Sequence, residues 1–70
     1  MEEIVQQFVD NPNVSFLKKQ TKSNLIAIGE HYSIDIDSSL VKKELLRDIV
    51  EALIDEEILP PEAIKTIPLL

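Results

Sequence analysis

Between positions 41 and 54, seven apolar residues cover too much of a helix for a single partner to bury. Val41, Leu45, Leu46, Ile49, Val50, Leu53 and Ile54, set at 3.6 residues per turn, span an arc of roughly 220°. One helix contact needs a stripe only a little over ~100° wide. A helix here must therefore be packed on two sides, and the rest of the chain has to supply both partners. Glu56 and Glu57 would point into the apolar arc, so the helix is expected to end before them. Leu59 precedes Pro60-Pro61, which pushes it towards extended backbone and confirms the stop.

The upstream chain offers the partners. Residues 2–10 carry Ile4, Val5, Phe8 and Val9 on one helical stripe, with Glu2 and Glu3 at the end where the helix dipole favours acids. Asn11 is placed to cap a second short helix, with Pro12 at its first position and Lys18-Lys19 at its end. Thr21 is the N-cap expected for a third helix over residues 22–32, whose stripe is Leu25, Ile28 and Tyr32. Gly29 lies on that stripe. A mid-helix glycine costs ~1 kcal/mol relative to alanine, which points to another helix approaching closely there. In residues 33–39 the period changes to two, with Ile34 and Ile36 alternating with Ser33, Asp35 and Asp37. This reads as an extended connector whose isoleucines tuck under the helices, with Ser38 or Ser39 capping the long helix. The fold class is therefore all-α, a small helical domain over residues 1–59 followed by a Pro-containing apolar tail or linker over 60–70. Two placements of the tail stay open: folded back on the second face of the long helix, or leading into a further segment.

A chain of 70 residues buries only ~60% of its unfolded surface, and 44% hydrophobic content suffices for one core. There is no cysteine, hence no thiolate metal site or cysteine nucleophile, and no apolar run long enough to span a bilayer. The acidic N-terminus is unlike a signal peptide. The expected location is intracellular, nuclear or cytoplasmic. His31 is the only histidine and has no metal or triad partner; it reads as a residue satisfying the last carbonyls of its helix. Asp35-Ile36-Asp37 resembles the start of a calcium loop, but the register then puts Leu46 where a bidentate glutamate belongs. Asn13-Val14-Ser15 is a glycosylation sequon without a secretory context. Glu51, Asp55, Glu56 and Glu57 read as a solvated face. No glycine-rich phosphate loop occurs. The expectation is no enzyme, no cofactor, no metal and no small-molecule substrate.

Thirteen acidic and seven basic residues give a net charge of −6, which opposes nucleic acid and anionic membranes in bulk. Six of the seven basic residues nevertheless fall in two short runs, Lys18, Lys19, Lys22 and Lys42, Lys43, Arg47. Lys22 and Lys42 each stand at a helix start, where free backbone N–H groups also favour phosphate. If the two starts are neighbours, the runs merge into one basic patch. The plainer alternative is solvated lysines with a weak Arg47–Glu51 pair.

The spacing Leu25, Ile28, His31-Tyr32, Ile34, then Lys43-Glu44-Leu45-Leu46 and Ile49 resembles a SAP motif, a helix–extended turn–helix unit. The likeness covers about half the chain, roughly residues 21–53. It implies DNA binding through Lys22, Lys42, Lys43 and Arg47. Such motifs usually carry a glycine before the turn's apolar residue; here Ser33 stands in its place, and Asp35 and Asp37 make the turn acidic. A broader run, FVDNP…FL…K…L..I..HY followed by L.K.EL and IL, resembles the N-terminal region of Gag-like proteins of vertebrate retrotransposons and genes derived from them. That resemblance implies that Met1 is a true start, that a longer polyprotein follows the tail, and that the domain serves assembly or partner recruitment. The leading expectation is a non-catalytic nucleic-acid-binding module; the alternative is protein–protein interaction or self-assembly.

Overall fold

The computed structural model describes residues 3–66. Four α-helices follow one another: α1 (Glu3–Asp10), α2 (Val14–Lys18), α3 (Lys22–His31) and α4 (Lys42–Asp55), with a 3₁₀ helix at Pro61–Thr66. Among the described residues there is no strand, and the chain is all-α.

The long helix α4 buries Leu45, Leu46, Ile49, Val50 and Leu53. Its partners are α3 on one side and α2 with the 3₁₀ helix on the other. Both sides are thus covered, as the width of its apolar arc requires. The N-terminal helices divide this work rather than sharing it: α2 packs on α4, whereas α1 packs chiefly on α3. Phe8 of α1 is fully buried, with its ring centroid 6.1 Å from Phe16 and 6.0 Å from Tyr32. It ties α1 to α2 and to the end of α3. Ala63 is buried and Ile64 packs against the core, so the core draws on chain beyond Leu59. Ile67, Leu69 and Leu70 lie outside the described residues.

Three local expectations need correction. The cap of α2 is Asn13, not Asn11: its side chain accepts from the Phe16 N–H at 2.7 Å. The Asn11 N–H is already used to close α1, on the Phe8 carbonyl at 3.1 Å. Neither Ser38 nor Ser39 caps α4. The Asp37 carboxylate accepts from both the Ser39 N–H (3.0 Å) and the Ser39 hydroxyl (2.5 Å), committing that segment to a turn. The N-cap position falls to Val41, which has no side-chain capping bond. Val41 therefore leaves the apolar arc and is 61% exposed. Thr21 does cap α3, accepting from the Asn24 N–H at 3.2 Å.

The close neighbour of Gly29 is the connector and not a second helix. A Cβ built on it would lie 2.5 Å from Ile36 Cδ1 and 3.1 Å from Ile36 Cγ1, with Ile49 Cδ1 at an ordinary 3.7 Å. Ile34 and Ile36 are both half-buried against the core.

Both long helices end in the same way. At the end of α3 the Ile34 N–H donates to the Gly29 carbonyl (2.9 Å) and the Ser33 N–H to Glu30 (3.0 Å). At the end of α4 the Ile58 N–H donates to Leu53 (2.9 Å) and the Glu57 N–H to Ile54 (3.0 Å). These are Schellman motifs, which need a left-handed residue just past the cap. Ser33 (φ 59°) and Glu57 (φ 63°) occupy those positions. The carbonyls that His31 was expected to satisfy are taken by backbone instead; the exposed imidazole stands edge-on to Tyr32, centroids 4.9 Å apart.

Candidate nucleic-acid interface

The two basic runs meet in space, though not by the route their positions suggested. Lys42 Nζ donates to the Lys18 carbonyl at 3.2 Å, across 24 residues of sequence. The packing of α2 on α4 brings this about. It sets the C-terminal end of α2, with its negative dipole end, beside the first turn of α4. Lys18, Lys42 and Lys43 together line an open depression floored by Leu46. Lys19 follows Lys18 directly and is exposed.

The four residues expected to form the site are not all in it. Lys42 and Lys43 line the depression; Lys22 and Arg47 do not. Lys22 lies close enough to Asp37 to stabilise its carboxylate. The Asp37 carboxyl is held below its usual value first by the Ser39 hydroxyl, then by the Ser39 N–H, and least by Lys22. Arg47 pairs with Glu51 one turn along, Nε to Oε1 at 3.2 Å, and its Nη1 is buried without a hydrogen-bond partner. In its place Lys18 completes the cluster. Lys18 belongs to the first basic run, but only the α2–α4 packing, which no local pattern encodes, singles it out.

The backbone adds to the positive field. The first intrahelical donor of α4 is the Leu45 N–H, on the Val41 carbonyl at 2.9 Å. The N–H groups of Lys42, Lys43 and Glu44 precede it and have no intrahelical acceptor. With no side-chain cap at Val41, they face the same edge as the lysines. Chemically, this edge can hold an anionic oxygen by ammonium groups and amide donors together. Glu44, in the same turn, is the acidic counterweight.

Among the described residues no group of three or more His, Asp or Glu is arranged to hold a metal ion. No described helix is long and apolar enough to cross a membrane. The chain matches no protein-family model, and neither curated proteins nor solved structures give a significant match.

Proposed function

We propose that this chain is a non-catalytic, intracellular nucleic-acid-binding module whose α3–connector–α4 unit is SAP-like. It engages the phosphate backbone through Lys18, Lys42 and Lys43, with Lys22 and Arg47 flanking. The observation that carries this reading is the Lys42–Lys18 contact. It draws members of both basic runs of a net-acidic protein to one edge, beside the uncapped start of α4. About three phosphate contacts follow, so the association constant should fall with roughly the 2.7th power of salt on duplex DNA. Titrating a short duplex into labelled protein at ~50 mM salt should shift the amides of residues 18 and 42–44, because even non-specific binders register well below millimolar DNA. Unchanged spectra at millimolar DNA would remove this reading.

Val41 favours a second reading. A large apolar side chain left 61% exposed next to the lysines suits a protein surface better than a phosphate. In this reading the domain is a protein-interaction or self-assembly module, as the Gag-like resemblance implies.

A further inference from the structure

Helix α4 is charged against its own dipole at both ends. Its first turn carries Lys42 and Lys43 against one acid, Glu44, and its last turn has no basic residue but ends in Asp55, followed by Glu56 and Glu57. A macrodipole favours the opposite arrangement, by about 0.3–1 kcal/mol per charge at exposed ends. Each end therefore presents charge that the helix itself disfavours, and the two ends are opposite in sign. Both ends also carry apolar surface. At the start, the exposed Val41 stands as a knob beside the lysines. At the finish, a groove is lined by Ile54, Ile58, Leu59, Pro60 and Pro61, with Asp55 and Glu57 on its rim.

We propose that this groove receives the α4 start of a second copy of the chain. Val41 of one molecule enters the groove of the next, and Lys42 and Lys43 face Asp55 and Glu57. The apolar knob has a basic rim and the apolar groove an acidic one, which is the complementarity that fixes partner and orientation. The contact also sets the two α4 dipoles head to tail, relieving the unfavourable charge at both ends. It joins different patches of the two molecules, so it is heterologous and propagates into open chains unless rotation closes a ring. The patches are small, so association is weak and salt-sensitive. This inference rests on the self-assembly reading; because both use Lys42 and Lys43, DNA and a second copy would compete for that edge.

The test uses the full chain and two charge-reversed variants, Lys42→Glu/Lys43→Glu and Asp55→Lys/Glu57→Lys. Sedimentation at low salt should show concentration-dependent association of the unmodified protein, weakened tenfold or more at ~0.5 M salt. Each variant alone should sediment as a monomer. An equimolar mixture should associate again, because the acidic head of one fits the basic groove of the other. Asp55→Lys/Glu57→Lys places charge in the sense the dipole favours and should keep or raise the melting temperature. Lys42→Glu gives up the hydrogen bond to the Lys18 carbonyl, so Lys43→Glu alone, which keeps that bond, is run beside the double variant and should also weaken association. Asp55→Lys/Glu57→Lys leaves the basic edge intact, so losing self-association while keeping DNA-induced shifts separates the two functions. A strict monomer at millimolar concentration in low salt overturns the proposal. So does association that survives either reversal, or variants that stay monomeric when mixed, whether another protein or residues 67–70 then proves to fill the groove.

Discussion

Replacing Gly29 by alanine should destabilise the domain, against the ordinary trend for a mid-helix glycine. The helix term favours alanine by ~1 kcal/mol. The new Cβ, however, would meet Ile36 Cδ1 at 2.5 Å and Cγ1 at 3.1 Å. Ile36 must then leave its rotamer or withdraw from the core. Overpacking costs about 1–3 kcal/mol in a tight core. Here the contact falls on the tip of a half-buried isoleucine, so the cost lies in the lower part of that range and the net loss is at most about 1 kcal/mol. Ile36→Val removes Cδ1 and with it the closest contact. In that background the same Gly29→Ala change should stabilise, by up to ~1 kcal/mol. The two substitutions are thus coupled by about 1–2 kcal/mol, well above the additivity error for independent sites. Urea unfolding followed by far-ultraviolet circular dichroism reads this directly. With an m-value near 1 kcal/mol/M for a small domain, the coupling moves the midpoint by about 1–2 M. If Gly29→Ala stabilises equally with Ile36 and with Val at that position, Gly29 is not there to admit the connector.

The helix ends yield two further predictions. Ser33→Gly and Glu57→Gly each relieve a left-handed residue, which costs an L-amino acid ~1–2 kcal/mol, less the ~0.5–1 kcal/mol of extra unfolded-state entropy that glycine brings. Each should raise stability by about 0.5–1 kcal/mol and the melting temperature by several degrees; Ser33→Ala should give no such gain, and equal behaviour of alanine and glycine would contradict the assigned backbone. Val41→Ser supplies the missing cap of α4 and, with Glu44 three residues on, a capping box. It should add about 1 kcal/mol of stability in thermal unfolding while weakening self-association, because the knob is gone; a change in which both quantities fall together would tell against Val41 as an uncapped N-cap.

Helix existence was legible wherever periodicity carried it. The stripes of α1 and α3 are those read from the sequence, that of α4 is too except for Val41, and the connector with its two inward isoleucines follows from the switch to period two. Boundaries were less legible where two residues compete for one role. Asn11 and Asn13 are both good caps by type, and the choice falls to the one whose side-chain oxygen reaches a first-turn N–H, here Asn13 on Phe16. Ser38 and Ser39 are likewise good caps, but Asp37 takes Ser39 first, at 3.0 and 2.5 Å. A cap assigned from residue type alone ignores such local rivals. The correction moves Val41 from the core arc to the surface. Without Val41 the arc is still roughly 180°, so the need for partners on both sides survives.

The candidate site was legible in composition but not in membership. Two basic runs in an acidic chain predict a patch only if the fold joins them, and sequence separation says nothing about that. The expected junction was the starts of α3 and α4. The observed one is the end of α2 with the start of α4, because α2, a helix of five residues, shares the second face of α4 with the 3₁₀ helix. Lys18 enters the site for that reason, while Lys22 is left beside Asp37 and Arg47 beside Glu51. The same geometry explains why the lysines of α4 are tolerated at a dipole end that disfavours them. Lys42 is compensated by the Lys18 carbonyl at the negative end of α2. No described bond does the same for Lys43, and Asp55, Glu56 and Glu57 sit at the unfavourable end of α4 without a basic residue in the last turn. Sequences that fold well agree with themselves at every level, and departures from that agreement collect at functional sites. On that ground the two ends of α4, rather than the acidic residues between them, Glu44, Asp48 and Glu51, are where a ligand or a second copy should be sought.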